Sequence, residues 1–301
     1  TMATTLTDAA GVFVFAVPCQ NCRATTSLAG FNAATVALEA GTNALLVLSL
    51  APIRESVVVT ATRSAVPTSQ VGASVTVFDR DAIERRGDAL VGDLLRQAPG
   101  AVVVQNGGRG NLASLFVRGG ENNYTKVLLD GIALNEPGGT FNFGGLSTGH
   151  LDRVEFVRGA HSALFGSDAM AGVLHLVSAR GRLGSRPALS GEFSGGSLGT
   201  LRGSATLSGG TARWDYSLHG GRSETDNREP NNHFGSTTIS MTAGTTVGAG
   251  VAVRLVGRYE DSRVGTPGQT AFGRPDLDAF FTQSHLAVSY THLTLPTSDL
   301  V

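Results

Sequence analysis

Lysine is all but missing: Lys126 stands alone among 23 basic residues, the other 22 being arginine. Charged residues make up 16% of the chain, against roughly 25% in an ordinary soluble domain. The formal net charge is −1, so no bulk attraction to nucleic acid follows. No run of about 18 apolar residues occurs, which excludes a transmembrane helix. A membrane β-barrel stays open, because alternating strands never build a long apolar run. At 41% hydrophobic content the composition argues against intrinsic disorder. Catalytic patterns are missing too: there is no H-E-x-x-H, G-x-S-x-G or Walker sequence. The seven histidines are scattered without metal-ligand spacing. What abounds is glycine, 40 of 301 residues, about twice average usage.

Cysteine occurs only as Cys19-Gln-Asn-Cys22. Two thiols cannot complete a structural zinc site unaided, and no histidine lies nearby. A redox dithiol should open a helix beside a parallel sheet, and these flanks read as strand and loop. A local disulfide in an oxidising compartment fits best, with two unpaired loop thiols as the alternative. Neither end reads as a native terminus. Thr1 opens without the basic and apolar regions of a signal peptide, so a fragment lacking its signal peptide is expected. Residues 288–297 (VSYTHLTLPT) resemble translated sequencing-adapter sequence. Residues 288–301 are therefore expected to be a non-native tail, with a genuine strand ending at Pro296 as the alternative.

Residues 1–50 read as the remnant of a small β-sandwich, with strand candidates at 11–16, 34–38 and 44–50. Residues 51–73, with Pro52 and Pro67 and no helical period, read as an extended linker. Residues 74–181 read as a compact α+β domain. Its strands are expected near 74–78, 102–104, 114–117, 126–129, 153–157 and 173–178. A short helix over 81–86 should stop at Gly87, and Asp88 should cap a second carrying Leu90, Leu94 and Leu95. That helix ends before Pro99-Gly100.

From 182 to 287 alternation dominates. Val251, Val253, Leu255 and Tyr259 share one face, and Arg254 and Arg258 the other. Trp214, Tyr216 and Leu218 likewise oppose Asp215, Ser217 and His219. Connections alternate between tight turns at 209–212 and 248–250 and longer loops at 224–232 and 261–275. That asymmetry fits the start of an antiparallel transmembrane β-barrel of about six strands. A soluble sandwich shares the alternation but not the asymmetry.

Gly108-Arg-Gly110-Asn-Leu-Ala113, with Asp130 17 residues later, imitates a dinucleotide fingerprint. The mechanism needs a helix opening at the glycines, and the eight residues before Gly119 are too few for one. A nucleotide-binding enzyme therefore stays a remote alternative. Asp130-Gly131 reads as a turn.

Several stretches come in a recognisable order. They are Glu55-Ser56-Val57-Val58-Val59-Thr60-Ala61, DLLRQAPG at 93–100, FVRG at 116–119, VLLDGIALN at 127–135, VEFVRG at 154–159 and SALFGSDAMAGV at 162–173. In that order they resemble the plug domain of TonB-dependent outer-membrane receptors. Ala160 and Ala171 depart mildly, standing where the family usually has Pro and Gly. Gln105-Asn106-Gly107-Gly108 is most similar to the cobalamin-transporter branch. Residues 1–50 resemble the end of a carboxypeptidase regulatory-like domain.

The resemblance implies a receptor in the bacterial outer membrane, with plug and N-terminal domain facing the periplasm. Its implied work is active uptake of a ferric siderophore, cobalamin or similar large nutrient, without covalent chemistry and with no required cofactor. A surface or signalling receptor without transport is the alternative. Glu55 to Ala61 would be the TonB box, a mobile segment that adds as a strand to the partner TonB; an ordinary strand end is its bland alternative. Ligand contacts are expected from Gln105, Asn106, Arg109, Asn111, Asn135, Phe141 and Phe143. Arg118 and Arg158 are expected to face the barrel wall and meet carboxylates beyond this chain. Barrels of this class have about 22 strands, so a wall continuing past residue 287 is expected. The loop holding Glu224, Asp226 and Glu229 is expected outside the cell, with calcium as a candidate ligand.

Overall fold

A computed structural model describes residues 5–8, 11–14, 22–26, 28, 31, 34–38, 45–49, 57–58, 66–67, 71–87, 89–247 and 251–294. The chain divides into two compact units, Thr1–Glu55 and Ser56–Val301.

In the first unit β1 (Cys22–Thr26) pairs antiparallel with β2 (Ala34–Leu38), Cys22 opposite Leu38. The expected strand at 34–38 is present. Those at 11–16 and 44–50 are not formed over their described residues. Val12, Val14, Leu45 and Val47 are exposed there. Cys22 is disulfide-bonded, and Cys19, the only other cysteine, lies outside the described residues.

The second unit opens with β3 (Val57–Val58) paired to β4 (Val66–Pro67). Two residues of the Glu55–Ala61 segment therefore sit in a short ladder. Glu55, Ser56, Val59, Thr60 and Ala61 lie outside the described residues. Then follow β5 (Ser74–Asp79), α1 (Arg80–Arg86) and α2 (Val91–Leu95). Asp79 caps α1 by accepting the Ala82 N–H at 2.7 Å, and Gly87 ends it at φ +65°. Asp88 falls outside the described residues, and α2 is capped otherwise than expected. Leu90 is its N-cap, and the Val91 N–H donates to the Leu146 carbonyl at 2.9 Å. Tertiary packing thus supplies the acceptor that a capping side chain would have given.

The strands continue with β6 (Ala101–Gln105), β7 (Ala113–Val117), β8 (Thr125–Leu129), β9 (Ile132–Ala133) and β10 (Leu151–Arg158). Helix α3 (Ser162–Phe165) and β11 (Gly172–Ser178) complete this inner domain. Its main sheet runs β5-β10-β11-β8-β9, with β11 and β8 parallel, while β6 and β7 form a separate hairpin. Asp130 and Gly131, both at positive φ, make the two-residue turn between β8 and β9. The core gathers α2, β7 and one face of that sheet: Leu94, Leu95, Val154, Phe156, Leu174 and Leu176 are all fully buried. The glycines at 108 and 110 lead into β7 and not into a helix, so the dinucleotide imitation fails on geometry.

The remaining strands form one antiparallel wall: β12 (Ala188–Gly195), β13 (Leu201–Gly210), β14 (Trp214–Thr225), β15 (Phe234–Val247) and β16 (Val251–Gly265). Short strands β17 (Gly268–Gln269) and β18 (Arg274–Pro275) decorate the next loop, and β19 (Phe280–Thr294) closes the series. The order is β12-β13-β14-β15-β16-β19. The wall is apolar outside and polar within. Leu189, Phe193, Ile239 and Leu286 are more than half exposed, while Ser217, Ser240, Thr242 and Glu260 are buried. A soluble sandwich would have the opposite sense. Strand β19 runs on past Ala287, with Val288 opposite Gly257 and Thr294 opposite Val251. Outward Val288 and Tyr290 keep the period of two, which lets the strand extend.

Candidate functional site: the seam between inner domain and wall

Residues 147–150 of the inner domain lie against the inner face of β16, and two buried charges there grip the backbone. Glu260 accepts the Ser147 N–H at 2.6 Å. Arg258 donates to the Ser147 carbonyl at 2.8 Å and the Gly149 carbonyl at 2.7 Å. Arg258 and Glu260 also pair with each other at 3.1 Å, both below 5% exposed. The two alternate along β16 with a period of two, which is why both point inward. Sequence reading placed Arg258 on the polar face, but the target peptide groups left no signal.

Beside this clamp His150, held at φ +62°, reaches into the wall. Its ring nitrogens meet Ser240 Oγ and Ser217 Oγ, each at 2.8 Å, and the ring stacks on His219 at 5.5 Å. Burial, then the nearness of His219, Arg258 and Arg80, pushes its pKa down to about 3. The neutral ring offers one donor and one acceptor to two hydroxyls that can rotate to suit. On β19, Gln283 pairs with Asn142: the Asn142 Nδ2 donates to Gln283 Oε1 at 2.9 Å, and Gln283 Nε2 donates to the Asn142 carbonyl at 3.1 Å. Thr242 donates to the Ala179 carbonyl, and Arg254 forks onto Asp215 with two contacts of 2.9 Å.

The expected ligand-contact residues separate into two groups. Asn106 is exposed and Arg109 half-buried on the loop before β7, with the Arg109 guanidinium 3.5 Å from Asp93. Gln105 is engaged by Arg96 and by the Gly108 carbonyl, and buried Asn111 reaches the wall at Asn232. Asn135 is an internal staple instead of a ligand contact. It accepts from Val127 N–H and donates to the Thr125 and Gly139 carbonyls. Phe141 and Phe143 are core residues, edge to face at 4.8 Å and under 5% exposed, so neither can anchor a ligand from outside.

Arg158 finds its described partners inside the inner domain, and the carboxylates it is expected to meet lie beyond this chain. It is 6% exposed and donates to Ser74 Oγ, Thr76 Oγ1 and the Pro99 carbonyl, all within the inner domain. Burial and then Arg118 lower its pKa. Strand β10 places it opposite Ser74 on β5, which supplies these acceptors. Arg118, at φ +50°, is exposed. The calcium carboxylates also disperse. Glu224 is held by Arg222 at 2.6 Å and Asp226 by His233 at 3.1 Å, while Glu229 is exposed. Among the described residues no group of three His, Cys, Asp or Glu side chains is placed to hold a metal ion.

Residues 67–173 match the TonB-dependent Receptor Plug Domain family. The vitamin B12 transporter BtuB of Vibrio vulnificus is 40% identical over 124 residues, 41% of this chain and 20% of that protein. The chain thus spans about a fifth of that relative's length. Among solved structures, the ferripyoverdine receptor of the Pseudomonas aeruginosa outer membrane superposes with a TM-score of 0.62 at 18% identity. The match covers 72% of this chain and 30% of that one. The alcaligin receptor FauA of Bordetella pertussis gives 0.60 at 22% identity, over 78% of this chain and 38% of that one. At those identities the likeness is one of fold.

Proposed function

We propose that the intact protein, whose residues 67–173 match the TonB-dependent Receptor Plug Domain family, takes up a large, scarce nutrient across the bacterial outer membrane. The observation that carries this reading is the seam. A wall apolar outside and polar inside holds the plug through reversible hydrogen bonds, as a removable stopper requires. The outer membrane lacks ATP, so the work comes from an inner-membrane partner, TonB, acting on the segment 55–61 from the periplasm. Plug and N-terminal unit face that compartment. The cargo crosses unchanged, so the protein is a transporter and not an enzyme.

Cobalamin is the first cargo to test, since the relative at 40% identity is a vitamin B12 transporter. A ferric siderophore is the second, the cargo class of receptors sharing the fold. The test is uptake of labelled cyanocobalamin by cells whose only cobalamin receptor is the full-length protein, with and without TonB. Uptake only with TonB supports the proposal. Surface binding without uptake favours a receptor that does not transport. Failure to bind either cobalamin or a panel of ferric siderophores overturns the reading.

A further inference from the structure

The loop at 226–233, between β14 and β15, lies against the plug loop at 108–111, and asparagines make the junction. Asn227 reads both peptide groups of one plug residue: its Oδ1 accepts the Arg109 N–H at 3.0 Å, and its Nδ2 donates to the Arg109 carbonyl at 2.9 Å. The same Nδ2 donates to the Asn232 carbonyl at 2.7 Å. Asn111 Nδ2 donates to Asn232 Oδ1 at 2.8 Å. Asn227 stands at φ +55°, a conformation that asparagine tolerates better than most residues.

Two glycines permit this approach. A Cβ on Gly108 would stand 2.8 Å from both Asn227 Cγ and Asn232 Nδ2, and one on Gly110 would overlap the ring of fully buried Phe234. The Gly-Arg-Gly sequence that imitates a nucleotide loop is therefore a contact surface for the wall. Elsewhere the loop is tied only to its neighbours: Asp226 N–H donates to the Leu198 carbonyl at 2.9 Å, and Asn231 Nδ2 to the Ala279 carbonyl at 2.8 Å.

We propose that Asn227 and Asn232 are positioning residues that make the shape of this loop depend on the plug. Loop and plug apex then form one surface, and that surface comes apart when the plug moves. The consequence for cargo release rests on the uptake reading above; the clasp itself does not. A carboxamide is required, because it presents an acceptor and a donor side by side. A carboxylate of the same shape would set an oxygen against two carbonyl oxygens.

The test is the mobility of a nitroxide label at Glu229→Cys in the full-length protein, where position 229 is exposed. Asn227→Asp, from the wall side, and Gly108→Ala, from the plug side, should each abolish the immobile spectral component. The double variant should be no more mobile than either single one. Asn231→Asp, which loosens the loop from its neighbour alone, should retain the immobile component. A label that stays immobile in Gly108→Ala, or effects that add in the double variant, overturn the proposal. Asn227→Gly keeps the positive φ and replaces Asn227→Asp should that variant fail to assemble. The readout needs neither cargo nor TonB, so a failed uptake experiment leaves it standing.

Discussion

Arg258 and Glu260 are two buried charges, and removing one leaves the other without its countercharge. Glu260→Gln keeps an acceptor for the Ser147 N–H but leaves the buried guanidinium without its countercharge. Plug docking should weaken by about 3–5 kcal/mol, read as a lower force when the plug is pulled by its N-terminus in full-length protein. His150 makes a second residue-level case. Its pKa lies near 3, below the ordinary 6.5, so protons favour the undocked state. Its contribution is whole above pH 6.5 and declines toward pH 3, by up to ~1.4 kcal/mol per unit. His150→Asn should flatten that slope in an acid titration of the same force measurement. A slope that persists in the variant would assign the acid sensitivity elsewhere. At this scale the sequence was least legible. Asn135, Phe141 and Arg158 had the composition of contact residues, but Asn135 staples its own loop, Phe141 packs into the core and Arg158 is engaged by Thr76, far away along the chain.

Elements were far easier to read. Helix α1 carries its own cap and its own stop, and the strands of the plug and wall announce themselves by composition and period. The failure lies where an element borrows its partner: α2, whose first N–H is taken by the Leu146 carbonyl. The outward face of the wall supports a sharp test. Ile239 sits on β15 beside Gly220 and Tyr259, facing outward. Ile239→Arg should cost about 2–4 kcal/mol if that band meets lipid, and heat-modifiability on gels should be lost. A normal shift would place the band out of the bilayer. The segment at 55–61 belongs here too. Val58→Pro removes one N–H that an added strand would use, so uptake should fail while surface binding persists. Unchanged uptake would remove the segment as the TonB contact.

At the scale of the molecule, the wall has six strands, and among the described residues β12 and β19 are its unpaired edges. The 301-residue chain by itself should therefore give no monomeric heat-modifiable barrel in detergent, whereas the full-length protein should. A resistant monomer from this chain would contradict the wall reading. Arg258 and Glu260 address peptide groups at Ser147 and Gly149, and Asn227 addresses those of Arg109. Peptide groups are common to every sequence, so at these points the wall reads the path of the main chain, and its side-chain demands are confined to His150, Asn142, Asn111 and the small Gly108 and Gly110. A foreign plug tracing the same path and keeping those few residues would be accepted as a graft, and elsewhere the inner domain and the wall could diverge at different speeds without losing their fit.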